Sequence, residues 1–242
     1  MKSKKLLSLV SVSMVCAMLF SGCAYIPKNF KLIDINNGED TITLGYGNFA
    51  ARYMQAMYDQ VYSGYYGTSM WGQDLYNSGN TFEEDVKSDV IDTIEEMYLL
   101  SMHASEYGVE LSADDEAAIK KAAAEFMKNN SKDAIKQVGA TEEYVADFIR
   151  YQQVATMVEE AIKAEAPEDP VEDIEDAETD ENEETTEASA EDTEDVTESA
   201  ADKYYDEIIK GWKDETSFDV NEKYWSWVTF SEYFTYQETT EE

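Results

Sequence analysis

The chain has one histidine, two cysteines and a large excess of carboxylates, and these residues bound the chemistry it can perform. His103 follows Met102, and no second histidine exists to share a metal or to act as base for a nucleophile. Imidazole-assisted hydrolysis and His-ligated zinc therefore have nothing to build on. The neighbouring acids Asp114 with Asp115, and Glu95 with Glu96, fall at adjacent positions of helical patterns. Side chains one residue apart on a helix do not face each other, so these pairs read as solvated helix surface and not as an acid and a base flanking a substrate. Gly45-Tyr46-Gly47 is too short for a phosphate loop and no Lys follows it. No catalytic residue, metal ligand or cofactor is assigned.

The cysteines carry a different chemistry. Lys2, Lys4 and Lys5 precede an apolar run over residues 6–19 that is short for a bilayer span, the pattern of a secretory signal. Leu19-Phe20-Ser21-Gly22 leads directly into Cys23 and resembles a bacterial lipobox. Residues 1–22 are then a lipoprotein signal peptide that is removed, and Cys23 becomes a lipidated first residue; an ordinary signal with Cys23 as a leftover thiol is the plainer alternative. An acyl chain contributes roughly 0.8 kcal/mol per buried methylene, and stable anchoring needs more than one chain, which a diacylglyceryl cysteine supplies. The expected location is extracytoplasmic, anchored to the cell membrane by Cys23. Cys16 leaves with the signal, so disulfides, thiol catalysis and cysteine metal sites are excluded.

A formal net charge of −35 repels nucleic acid and anionic headgroups, so no nucleic acid partner is expected. The charge is uneven. Residues 165–199 hold 18 of the 53 acidic residues and none of the 18 basic ones, with only Val171, Ile174 and Val196 as larger apolar residues. Such a stretch buries too little surface to offset its ordering entropy, so residues 165–200 read as an acidic disordered linker. Whether it binds calcium weakly stays open, since no spaced loop with a central Gly supports it.

The elements around it are mostly helical. Residues 23–40 form a tether and an extended segment: residues 31–35 and 41–44 read as strands about the turn signal Asn36-Asn37-Gly38. From Asn48 the period becomes helical, with Phe49, Tyr53, Met57, Val61 and Tyr65 on one face and an end near residues 64–67. Thr81-Phe82-Glu83-Glu84 has capping-box spacing ahead of a helix running to about Tyr107. Ser112 caps the next, a minor helix covers residues 132–138, and Thr141 begins the last long one. Beyond the linker, residues 201–214 read as a helix, and residues 218–220 and 224–230 as extended segments. About 40 residues with one short helix are too few for an independent core, so residues 201–236 must dock on the helical domain of residues 41–164, leaving 237–242 as a disordered tail.

The runs Tyr46-Gly47-Asn48-Phe49, Tyr53-Met54-Gln55-Ala56, Tyr66-Gly67 before Trp71, Thr81-Phe82-Glu83-Glu84-Asp85-Val86-Lys87, Tyr107-Gly108-Val109-Glu110-Leu111-Ser112 and Gly139-Ala140-Thr141-Glu142-Glu143 are similar to the N-terminal chaperone region of SurA- and PrsA-type foldase lipoproteins, often labelled peptidylprolyl isomerases. The resemblance covers residues 41–163. It implies a mainly α fold: a helical chaperone lobe of the SurA and trigger-factor kind, with a short β element joining N- and C-terminal segments. In that family a parvulin isomerase domain commonly sits where this chain has its acidic linker, and no parvulin pocket maps onto these residues.

The implied function is a membrane-anchored, extracytoplasmic chaperone that binds unfolded or extended secreted polypeptides without isomerase chemistry. The alternative is a surface lipoprotein using the lobe as a protein-interaction module, and the third reading is a peptidyl-prolyl cis-trans isomerase. A homodimer stays open. With 17 Tyr, 10 Met and 4 Trp, the chain has the adaptable side chains a promiscuous surface needs. Met57, Tyr58, Tyr62, Tyr65, Tyr66, Met70, Trp71 and Tyr76 are the candidate client-binding residues, with Trp225 and Trp227 closing the groove from the other side; the plainer reading makes them core and loop packing.

Overall fold

The computed structural model describes residues 26–167, 199–231 and 234. The signal segment, Cys23, residues 168–198 of the acidic stretch and residues 237–242 lie outside the described residues. The fold is mainly α with one small antiparallel sheet.

Strand β1 (Lys31–Ile35) turns through Asn36, Asn37 and Gly38, all at positive φ, into β2 (Asp40–Thr43). Asn and Gly tolerate that left-handed backbone, which is why the turn signal was readable. The Thr43 hydroxyl accepts the Tyr46 backbone N–H at 3.3 Å, and α1 (Leu44–Tyr66) begins four residues before the periodicity predicted. Glycines are poor helix formers, but packing overrides propensity here: a Cβ on Gly47 would run into the Leu32 side chain of β1.

A tight turn at Thr68–Gly72 follows, and then α2 (Phe82–His103), whose Thr81 and Glu84 form the expected reciprocal capping box. Four residues of tighter helix lead to Gly108 at φ 66. Ser112 and Asp115 make a second capping box at α3 (Ala113–Asn129), Ser131 caps α4 (Lys132–Val138), and Thr141 caps α5 (Glu142–Ala164). Each cap satisfies backbone N–H groups that a helix start leaves unpaired.

The C-terminal segment returns to the helical unit. Helix α6 (Ala200–Glu215) packs on α5 and α2. Its Tyr205 hydroxyl donates to Glu96 at 2.6 Å, and Asp202 pairs with Lys163 at 2.6 Å. Strand β3 (Phe218–Val220) pairs antiparallel with the free edge of β1, giving the order β2-β1-β3. The extended reading of residues 224–230 is corrected at its start. Asn221 accepts the Tyr224 N–H and caps a single helical turn, α7 (Glu222–Trp225), before the chain runs irregularly through residues 228–231. A local cap outcompetes the β preference of the aromatics.

One core joins both segments, from Leu32, Ile33 and Ile35 through Phe49, Val90 and Phe148 to Val228, Phe230 and Phe234. Burying each such side chain contributes roughly 1.5–3 kcal/mol.

Candidate functional site

Helices α2 and α3 both pack on α5, and a groove of about 940 Å³ opens between them. Its floor is Phe49, Tyr53 and Met57 of α1 with Val145, Phe148 and Ile149 of α5. The floor rings are locked edge-on: Phe49 and Phe148 lie 5.9 Å apart at 87°, and Tyr53 and Phe148 lie 5.3 Å apart. Met97 and Leu100 form the α2 wall, and Ala118, Ala122 and Phe126 the α3 wall. The alanines are the reason for the space. A helix face with only methyl groups cannot fill the gap to α2, whereas a larger residue would close it.

The rim is polar and acidic on balance, with three glutamates to one lysine. Thr93, Glu96, Lys121, Glu125, Asn129, Gln152, Gln153, Thr156 and Glu159 surround the mouth, and Tyr205 of α6 stands at one end. Burial and the hydrogen bond to Glu96 push the Tyr205 hydroxyl pKa well up, so it stays a neutral donor. On the other side of α3, Arg150 of α5 donates through Nε and Nη2 to the two Glu116 oxygens, both at 2.9 Å, and through Nη1 to Asp147 at 2.6 Å. This fork braces the α3 wall at a fixed distance from α5. Glu116 is held below the usual carboxylate range by the Arg150 hydrogen bonds.

The residues singled out from the sequence scatter. Only Met57 lines this groove. Tyr58 is half-buried, stacked on Tyr62 at 5.7 Å and edge-on to Trp71 and Phe82. Its hydroxyl is pushed up to about 12, chiefly by burial. Tyr62, Tyr65, Tyr66 and Tyr76 are exposed around the C-terminal end of α1, Tyr65 to 87%. Three expectations are corrected: Met70, Trp71 and Trp225 are 0%, 3% and 6% exposed and belong to the core. Trp71 stacks on Phe82 at 4.9 Å and donates to Asp59, while Trp225 carries the Lys87 ammonium over its ring at 5.2 Å. Trp227 is partly exposed and lies against Phe30, not across from the tyrosines. Cys23 lies outside the described residues.

His103 stacks on Trp212 with 4.0 Å between ring centroids and pairs with Glu106 at 2.8 Å, a packing role between α2 and α6. Among the described residues no group of three or more His, Cys, Asp or Glu is placed to hold a metal, and no helix is long and apolar enough to cross a membrane.

The groove was missed in the sequence because its residues were read as helix faces destined for the core. The available signal was Ala118 and Ala122, one helical turn apart and followed by Phe126 at the next, a thin apolar face on an otherwise charged helix. No protein-family model, no curated protein and no solved structure matches this chain.

Proposed function

We propose that the protein is an extracytoplasmic holding chaperone, anchored through a lipid on Cys23, that shelters apolar stretches of unfolded or extended polypeptides between α2 and α3 without covalent chemistry. The groove carries this reading. Its volume lies at the upper end of the roughly 300–1,000 Å³ range of ligand pockets. The floor and walls are apolar, while the amides, hydroxyls and charged groups of the rim can hydrogen-bond a peptide backbone. Met57 and Met97 adapt to different side chains because thioethers are flexible and polarizable.

The test is suppression of aggregation of several unrelated denatured proteins by the lipidated protein. Ala118→Arg places a long cation in the groove from an exposed position of α3, and Ala122→Trp fills it. Both are expected to abolish suppression while the melting temperature of Ala118→Arg stays unchanged. Full suppression by a folded Ala118→Arg protein would defeat the groove as the binding site.

A second reading, a surface lipoprotein that docks one defined protein, is favoured by the exposed Tyr62, Tyr65, Tyr66 and Tyr76. Saturable binding of one native partner, lost when these tyrosines become serine, would support it.

A further inference from the structure

Phe30 and Trp227, with the half-buried Tyr224 between them, form an aromatic cluster at the opposite end of α1 from the tyrosines. Phe30 and Trp227 are 39% and 38% exposed, with ring centroids 6.2 Å apart, and Tyr224 lies 4.9 Å from Phe30 and 5.0 Å from Trp227. Folding leaves Phe30 and Trp227 outside, while Tyr224 is half-buried against the core between them. Asn221 N–H donates to the Leu32 carbonyl at 2.7 Å, and Trp225 drops into the core with its carbonyl taken by Lys87 at 3.2 Å. Tyr224 and Trp227 flank that peg. On the other chain segment, Leu44 N–H donates to the Phe30 carbonyl at 2.7 Å and Gly45 N–H to the Lys28 carbonyl at 3.0 Å, so Phe30 sits on a fixed backbone.

We propose that the Phe30, Tyr224 and Trp227 face is a membrane-contact surface that seats the body of the protein on the lipid bilayer. The proposal rests on the anchor reading of Cys23. From Cys23 to Ile26, where the described chain begins, there are three residues, which span at most about 11 Å when extended. A body held that closely must turn one face to the headgroups. Tyr and Trp favour that depth, since the ring enters the apolar boundary while the hydroxyl or indole N–H stays wet.

Charge selects the same face. A chain of net charge −35 is repelled by an anionic bilayer, but the sequence neighbours of these rings include the exposed Lys28, Lys31 and Lys223. Lys31 pairs with Asp34 at 3.4 Å and Lys223 follows Glu222, so the border is near neutral where most of the surface is acidic. Basic residues are attracted to an anionic surface, and acids are repelled by the same field. None of the three aromatics lines the α2–α3 groove, so bilayer contact leaves it free.

The test uses the lipidated full-length mature protein on vesicles of phosphatidylcholine and phosphatidylglycerol, with and without brominated acyl chains. Flotation reads the anchor, and quenching of tryptophan emission reads the face. Comparison with Trp227→Phe isolates Trp227 from Trp71, Trp212 and Trp225. The expected result is a floating protein whose Trp227 emission is quenched by bromine. Phe30→Ser, and separately the exposed Lys223→Glu, lose the quenching while flotation and melting are unchanged. Tyr65→Ser, about 30 Å away along α1, retains it. A floating protein with unquenched Trp227 overturns the surface and leaves the anchor standing. A protein that does not float overturns the anchor and the surface with it. Dimerisation without vesicles that Trp227→Ser abolishes assigns the face to a second copy and also overturns the proposal.

Discussion

Asp59 and Phe234 are joined by a buried hydrogen bond: the backbone N–H of Phe234 donates to Asp59 Oδ2 at 3.0 Å, across 175 residues of sequence. The other carboxylate oxygen takes the Trp71 indole N–H at 2.9 Å. Nearby, Arg52 donates to Gln55 Oε1 and to the Thr229 carbonyl at 2.8 Å, and its guanidinium lies 5.0 Å over the Phe234 ring. Burial raises the Asp59 pKa, opposed by the donors around it and by the Arg52 charge. A polar receptor on α1 thus captures the returning segment at Phe234, and a buried carboxylate is tolerated because its oxygens are paired.

Removing that acceptor strands the Trp71 and Phe234 donors and takes away a negative charge that acts on Arg52. Asp59→Ala is expected to lower unfolding stability by about 3 kcal/mol in chemical denaturation. Hydrogen exchange should also show residues 228–231 and Phe234 released first. Unchanged protection there would mean that apolar packing of Phe230 and Phe234 alone holds the segment.

The exposed tyrosines and the groove make separable predictions. Changing Tyr62, Tyr65 and Tyr66 together to Ser should shift stability by no more than about 0.5 kcal/mol per site, as surface substitutions do. Capture of an unfolded client, followed by light scattering, should persist. Loss of capture with an intact melting curve would move the binding surface from the groove to the end of α1.

The pair Lys163–Asp202 fixes the start of α6 on α5 and gives a pH window. The Lys163 hydrogen bond holds Asp202 below its ordinary value of 3.8, and the Asp202 and Glu159 hydrogen bonds raise Lys163 above its ordinary 10.5. Asp202 therefore contributes stability that is present above 3.8 and lost as pH falls through its depressed folded value. Lys163 contributes stability that is present below 10.5 and lost as pH rises through its raised one. Hydrogen exchange across α6 should accelerate outside this window in the wild type. In Asp202→Asn the loss at the acid end should disappear, and an identical acid response in the variant would refute the assignment.

Gly47 lets α1 cross β1 at close range. Gly47→Ala forces its new Cβ against Leu32, with Trp225 Cζ3 3.6 Å away, and is expected to lower stability by about 1–3 kcal/mol despite the better helix propensity of alanine. Thermal melting checks the sign: a gain would show that Leu32 moves aside freely.

Helix boundaries were legible because their causes are local. Thr81, Ser112 and Thr141 cap the N–H groups of their own next turn, and Gly108 and Gly139 adopt the left-handed backbone within one residue. The charge block and the lipobox-like run are likewise properties of contiguous residues. Exposure is different. Met70 and Trp71 lie among glycines and polar residues that read as a surface loop, yet α2 and the returning Phe230 cover them; Trp71 and Phe230 lie 4.7 Å apart. Trp225 and Trp227, two residues apart with the same chemistry, are divided between core and surface by the cap at Asn221.

The sequence by itself determined the long helices, most of their caps, the hairpin turn and the distribution of charge, because each follows from interactions within a few residues; the start of α1 and the short α7 were not among them. Tertiary structure alone decided which apolar faces close on one another and which stay open. The alanine face of α3 and the aromatic floor under it become a groove only because α2 and α3 share α5 as a support and stand apart across it. That spacing is a balance of side-chain volumes from four helices far apart in the chain, and no local pattern encodes it.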